Sequence, residues 1–344
     1  MYILAIETSC DETAVALYQG DRSTGTGCIV SEEIASQIET HARFGGVVPE
    51  VASREHLQAL PNMVERVVAS VNVRWDELDA IAVTAGPGLM GALLVGVSYA
   101  RALGAANGIP VWSIHHMEGH LLAPGIEGNL PAFPFITLLV SGGHTMLVRV
   151  DGIGDYSIVG QTLDDAAGEC FDKSARVLGL PYPGGPEISR LAMGGDGARY
   201  KLPRPMLNQP HLNFSFSGLK TAVLYAAKKI DVNDKDVKRD MAASIEAAIG
   251  DVLVKKSIRA CEQEAISSLV IAGGVAANDY LRRFLLAQAQ LKGISVTLPA
   301  MKHCTDNAAM IAYAAFRRLV AGSECDIVWD ILPRWSLENL KLRD

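Results

Sequence analysis

Cysteine is sparse and scattered. None of the six (Cys10, Cys28, Cys170, Cys261, Cys304, Cys325) stands in a CxxC pair, which suits a reducing compartment and argues against a disulfide framework or a thiolate zinc site. An excess of positive charge is also missing: 31 Lys+Arg against 38 Asp+Glu leave a net charge of −7. The chain is therefore no autonomous polyanion binder, and a nucleic-acid substrate would need a local basic patch or a helper protein. The N-terminus carries no basic n-region, and Glu7 breaks its first apolar run, so no signal peptide is expected and the expected location is cytoplasmic. One stretch, 81–100, lacks charge over the length of a membrane span. Gly86, Pro87, Gly88, Gly91 and Gly96 interrupt it, so it reads as a buried strand, a Gly-Pro-Gly turn and an apolar helix, with no membrane partner. What remains is ordinary: 344 residues with 49% hydrophobic and 20% charged side chains, enough for two domains or one large duplicated unit.

The order of elements supports duplication. Strands are expected at 2–6 and 14–18 around the polar turn ETSCDET, then an irregular Gly-bearing stretch, a helix at 50–73, a strand at 80–85, a Gly loop with a helix, and a strand at 111–114. A second hairpin, 135–140 and 145–150, is joined by SGGH. Beyond it come a helix at 164–178, a Pro/Gly-rich stretch, an amphipathic helix at 241–258, and a strand at 268–272 ending in AGGVAAN. A helix at 279–290, a strand at 294–298 and a helix at 306–319 complete the chain. Three parts recur in order: ILAIETSCDETAVALY with FITLLVSGGHTMLVRV, IAVTAGPGLMG with LVIAGGVAAN, and VWSIHHMEGH with SVTLPAMKHCTDN. The hairpins start 133 residues apart and the later strands 188 apart, which leaves the second copy about 55 residues longer, within 179–240. The expected division is a first lobe at 1–133 and a second at 134–344, whose C-terminal helix and tail are free to pack back on the first. Two such α/β lobes would face each other across a ligand-binding cleft.

His116 and His120, spaced i, i+4, project from one helix face, the geometry by which two imidazoles share a metal; the competing reading is a surface helix with two solvated histidines. HMEGH is not HExxH: Glu118 is turned about 200° from His116 and is badly placed as a peptidase base. Repeat symmetry nominates Asp306 as the third ligand, and two His with one Asp suit Fe(II), Zn or Mn. His115, His144 and His303 are set aside. GPGLMG formally matches a dinucleotide loop, but its next strand ends in His115–His116 and not in a ribose-binding acid, so its glycines are expected to serve packing. SGGH and AGGVAAN, both at strand ends of one half, favour phosphate binding through loop N–H groups. NFSFSGLKT reads as a helix entry. RYKLPRP supplies Arg199, Lys201 and Arg204 without adjacent acids, either a solvated run or an RNA contact.

ETSCDET, GGVVPEVASR, TAGPGL, HHMEGH, LLVSGGHT, DDAAGECFDK, YPGGP, FSFSGLKT, AGGVAAN and CTDNAAM, in this order, resemble the tRNA N6-adenosine threonylcarbamoyltransferase family, once labelled O-sialoglycoprotein endopeptidases. The resemblance implies the duplicated, RNase H-like actin/hexokinase/heat-shock-chaperone fold. It implies that His116, His120 and Asp306 hold one divalent metal, Fe(II) first and Zn second. Leu139, Val140, Ser141, Gly142, Gly143, Asp172, Gly185 and Asn278 would bind the substrate nucleotide. The implied reaction moves threonylcarbamoyl from threonylcarbamoyl-adenylate to N6 of adenosine 37 in tRNAs reading ANN codons, releasing AMP. Implied partners are tRNA, a paralogue lacking the metal site, and a P-loop ATPase. In that setting Asp11 and Glu12, in the first hairpin turn, are candidates to orient the amine or take its proton, against a reading as simple turn residues. A metallopeptidase would use the same His pair but lacks its base; a kinase of this fold would need no His pair.

Overall fold

Strands that are apolar at every position belong in the middle of a sheet covered on both faces, because no face is left for water. In the computed structural model, which describes residues 1–231, 234–322 and 330–340, this holds for β4 (Ala80–Gly86) and β6 (Phe135–Val140), buried along their whole length. Cys325 lies outside the described residues.

Contacts group the chain into two units: Met1–Leu130 with Gly152–Tyr156 and Ala300–Asp344, and Pro131–Asp151 with Ser157–Pro299. The first unit is built on the strand order β3-β2-β1-β4-β5. Here β1 (Tyr2–Glu7) pairs antiparallel with β2 (Glu12–Asp21), β2 antiparallel with β3 (Thr26–Ser36), and β1 parallel with β4, which is itself parallel to β5 (Val111–His115). Its early helices are α1 (Ile38–Ala42), α2 (Pro49–Ala69), α3 (Met90–Asn107) and α4 (His116–Leu122), the last followed by a 3₁₀ turn, Ala123–Glu127. The GPGLMG glycines pack, as expected. A Cβ on Gly88 would lie 2.6 Å from the Ser9 carbonyl oxygen, and one on Gly96 would lie 2.3 Å from Thr8 Oγ1.

The second unit repeats the plan. Its sheet runs β8-β7-β6-β9-β10, with β7 at Thr145–Gly152, β8 at Asp155–Gln161, β9 at Ser268–Ala272 and β10 at Ser295–Thr297. The β6/β7 pair is antiparallel, while β6/β9 and β9/β10 are parallel, so each strand has its counterpart in the first sheet. Between β8 and α8 (Lys235–Gln263) stand α5 (Ala167–Val177), α6 (Gly184–Ala192) and α7 (Ser217–Ala227), whereas α1 alone stands between β3 and α2. Two of these three helices, α6 and α7, lie within 179–240. After β9 comes α9 (Asp279–Gln290), capped by Asn278, whose Oδ1 accepts from Leu281 N at 2.7 Å.

The C-terminal helix α10 (Ala308–Val320) groups with the first unit, the packing back that the sequence left open. Its run Ala308–Ala309–Met310–Ile311–Ala312–Tyr313–Ala314–Ala315–Phe316 is buried throughout. These mostly small side chains let it lie against β1, β2 and α4.

Two edge strands, β3 and β8, escaped the sequence reading. An edge strand carries charged side chains without penalty, and Glu32 and Glu33 sit in β3. The FSFSG segment is a helix entry, as expected. Asp164 accepts from Phe216 N at 2.8 Å and from the Ser215 and Ser217 hydroxyls at 2.6 Å each. Burial pushes the Asp164 carboxyl up, but these hydrogen bonds more than offset it and hold it below the ordinary 3.8. A depressed carboxylate stabilises the fold above its unfolded value and loses that contribution as pH falls. Asp164→Asn should therefore melt below wild type at pH 7, and the gap in Tm should close as pH drops below about 4. A gap that stays constant with pH would assign the cap no charge contribution.

Candidate active site

The chain places a histidine pair where β5 turns into α4. His115 ends the strand and caps the helix, its Nδ1 accepting from Met117 N at 3.1 Å, while its Nε2 lies 3.1 Å from the Trp335 carbonyl oxygen. It is thereby excluded from ligation. One residue on, His116 opens α4 and His120 follows one turn later, with ring centroids 4.9 Å apart and planes at 89°. Asp306 directly precedes Asn307, whose Oδ1 caps α10 by accepting from Met310 N at 2.9 Å. The cap fixes the helix start, and with it the acid. Asp306 Oδ1 lies 3.0 Å from His120 Nε2 and 3.3 Å from His116 Nε2. The three side chains offer ligand atoms within 4.8 Å of one another. Both imidazoles are buried, and the Asp306 side chain is 21% exposed.

A second carboxylate was not foreseen. Glu7, fully buried at the end of β1, lies with Oε2 2.9 Å from His116 Nδ1 and accepts from the Thr84 hydroxyl; Ser9 Oγ is 3.2 Å from the same Nδ1. The sequence signal was an acid closing a buried apolar strand. With Nδ1–H given to Glu7, the neutral His116 ring presents Nε2 as a lone-pair donor, the arrangement of a metal-ligating histidine. Burial alone would lower His116, but the Asp306 and Glu7 carboxylates raise it well above its ordinary value. Burial would likewise raise Asp306 and Glu7, and the His116 charge holds both low. A proton on His116 thus stands where the site calls for positive charge, and two Nε2 atoms with a carboxylate oxygen fit a divalent cation in its place.

Glu12, beside Asp11 in the first hairpin turn, feels this negative field. Burial, then the Asp306 and Asp11 charges, push the Glu12 carboxyl well above the usual range. Glu118 points elsewhere: it accepts from the Tyr156 hydroxyl at 2.6 Å and from Arg318 Nε at 2.5 Å, which removes the base a metallopeptidase would require. His303 is buried 4.0 Å from Glu127 Oε1, apart from the ligand set.

In the second unit, the parallel pairing of β6 with β9 brings two Gly loops to the same sheet end. Leu139 and Val140 close β6; a Cβ on Gly273 (φ +89°) would lie 2.4 Å from Val140 O. Gly168, in the first turn of α5, donates its N–H to Ser141 O at 3.2 Å. Gly142 and Gly143 are exposed, and a Cβ on either would meet nothing within 4 Å. Asp172 Oδ1 accepts from Gly184 N at 2.7 Å, which holds the start of α6, with Gly185, against α5. Asn278 donates Nδ2–H to Glu246 Oε1 at 2.7 Å. Leu139 and Val140 at the end of β6, Ser141 to Gly143 in the loop after it, Asp172 within α5, Gly185 in the first turn of α6 and Asn278 at the cap of α9 all belong to a single unit. The basic run fares differently. Arg199 and Lys201 are exposed, but Arg204 is paired with Asp251 at 2.9 Å and donates to the Leu202 carbonyl at 2.8 Å. The absence of acids in sequence does not extend to space.

The family model described as tRNA N6-adenosine threonylcarbamoyltransferase matches residues 28–313. Proteins of that name from Polaromonas naphthalenivorans and Polaromonas sp. strain JS666 are 51% and 52% identical to this chain, covering 99% and 98% of it and 97% and 98% of themselves. Among solved structures, T. kodakarensis HypF aligns with TM-score 0.63 at 10% identity, over 93% of this chain and 48% of that one. Component A of the Acidaminococcus fermentans (R)-2-hydroxyglutaryl-CoA dehydratase aligns with TM-score 0.53 at 14% identity, over 93% and 99%. At such identities these likenesses show the fold alone, the duplicated actin/hexokinase/heat-shock-chaperone architecture.

Removing the buried carboxylate beside His116 should be read directly on that ring. In chelator-treated Glu7→Gln protein, the His116 pKa followed by NMR should fall below that of wild type. An unchanged titration would mean that Glu7 does not act on the ring.

Proposed function

The chain belongs to the tRNA N6-adenosine threonylcarbamoyltransferase family, and from that premise we propose how its residues carry out the transfer of threonylcarbamoyl to an adenosine N6 in tRNA. The observation that carries the reading is the convergence of His116, His120 and Asp306 within 4.8 Å in a chain with 51% identity to an enzyme of that name. These three residues would hold one divalent metal, Fe(II) ahead of Zn. When bound, the metal supplies positive charge for the oxygens on which negative charge develops.

The donor implied by the family resemblance, threonylcarbamoyl-adenylate, is a mixed carbamic–phosphoric anhydride and is already activated. The exocyclic amine attacks the carbamoyl carbon, the bond from that carbon to the phosphate oxygen breaks, AMP leaves, and the amine gives up one proton. Such chemistry asks for positioning and charge stabilisation more than for a protein nucleophile. Leu139 to Gly143 and Asn278 would cradle the phosphate and nucleoside with backbone N–H groups, and Asp172 and Gly185 would shape the ribose site. Asp11 is the stronger candidate to take the proton, since Glu12 is pushed toward its neutral form and a neutral carboxyl is a poor base.

Acceptor binding is the weak point of an acidic chain. Of the basic run, Arg199 and Lys201 are left for tRNA phosphates. With a net charge of −7, few phosphates can be neutralised unaided, which supports the need for a paralogue without the metal site and a P-loop ATPase. Leu57 on α2 and Met90 and Leu94 on α3, exposed at 64%, 66% and 53%, are apolar side chains that such a protein would cover. Among the described residues no helix is long and apolar enough to cross a membrane, in keeping with a cytoplasmic tRNA-modifying enzyme.

The test is transfer of labelled threonylcarbamoyl from the adenylate to unmodified tRNA, in parallel with casein and with ATP plus sugars. Label should appear in tRNA alone; proteolysis or sugar phosphorylation without tRNA labelling would overturn the reading. Gly143→Val should fold normally, because its Cβ enters open space. Its affinity for AMP should fall about tenfold or more, roughly 1.4 kcal/mol, and equal affinities would make the loop merely a turn.

A further inference from the structure

The HMEGH turn carries a buried side chain that the metal reading leaves unused. Glu118 sits between the two ligand histidines in sequence but faces α10 and Tyr156, with no exposure to solvent. Its Oε2 accepts from Arg318 Nε at 2.5 Å and its Oε1 accepts from the Tyr156 hydroxyl at 2.6 Å. The surrounding contact between α4 and α10 is close and apolar. A Cβ on Gly119 would lie 2.9 Å from Met310 Cγ and 3.1 Å from Ile311 Cδ1, and one on Gly125 would lie 2.2 Å from the Tyr313 hydroxyl. Apolar burial holds two such helices together but is non-directional, so it sets their separation better than their axial register. Register matters here because Asp306 stands at the head of α10 while its partners stand on α4. A slide of one residue moves the acid by about 1.5 Å and turns it by about 100°, more than a metal site tolerates.

We propose that Glu118, Arg318 and Tyr156 form a buried positioning clamp that fixes the register of α10 on α4 and so places the Asp306 carboxylate against His116 and His120. Arg318 grips Glu118 about three turns along α10 from the Asn307 cap, and Tyr156 occupies the second carboxylate oxygen, which stops Glu118 from swinging. The clamp acts at a distance from the ligands and touches neither metal nor substrate. A buried ion pair of this kind adds little to stability over well-packed apolar residues of similar volume, while removal of one partner strands the other charge. The inference rests on the reading of His116, His120 and Asp306 as the metal ligands.

The experiment replaces the whole clamp, so that neither charge of the pair is stranded, and reads metal affinity separately from folding. In the full chain, the triple variant Glu118→Met, Arg318→Met, Tyr156→Phe should melt within a few degrees of wild type. Its Co(II) affinity, measured by chelator competition at a temperature where both proteins are folded, should be at least about tenfold weaker, with an altered visible absorption of the bound ion. A folded triple variant with wild-type Co(II) affinity and spectrum overturns the clamp. Should the triple variant not fold, Glu118→Gln keeps the side-chain shape and is measured in the same way: weaker Co(II) binding is expected, and wild-type affinity overturns the proposal. His116→Ala serves as the reference, because wild-type Co(II) binding in that variant would show that the ligand assignment has failed, and not the clamp.

Discussion

One imidazole held between a buried and a partly buried carboxylate governs the first unit. Glu7 and Asp306 each approach His116, one at each ring nitrogen, and a carboxylate withdrawn from water needs positive charge beside it. That requirement reaches through the fold. Glu7 needs β1 in the sheet centre, His116 needs the strand-to-helix turn that His115 caps, and Asp306 needs α10 packed back on β1, β2 and α4. A divalent cation held by His116, His120 and Asp306, as proposed, would satisfy the same constraint as the proton.

The second unit solves a different problem with the same topology. There the parallel β6/β9 pair delivers two Gly loops and two helix starts to one sheet end, with open space over Gly142 and Gly143. Duplication thus yields one lobe whose strand ends carry imidazoles and carboxylates and another whose strand ends carry backbone donors. In the proposed reading, cation and nucleotide binding would be divided between two copies of one architecture.

The elements set by periodicity were readable in the sequence, as at 279–290 and along β4 and β6, because burial on one stripe or on both faces leaves a pattern. The i, i+4 histidines were readable for the same reason. Edge strand β3 was not, since solvent on its open side relaxes the alternation. Glu7 appeared only as an interruption of an apolar run; its purpose depends on His116, more than a hundred residues away. Asp306 was reached through repeat symmetry, yet the structure puts it in the first unit by way of α10, a long-range packing choice that no local pattern encodes. The ion pair of Arg204 was hidden likewise, for its acid partner Asp251 is remote in sequence.

In the proposed reading, His116, His120 and Asp306 bind one divalent metal that the chain needs for transfer. The most direct measurement is the metal content of protein purified anaerobically, wild type beside His116→Ala, His120→Ala and Asp306→Ala. The account predicts about one divalent ion per chain in wild type, iron before zinc, with loss from each variant while AMP binding and the folded state persist. Full occupancy in the alanine variants, or an active wild type that carries no metal, would contradict it.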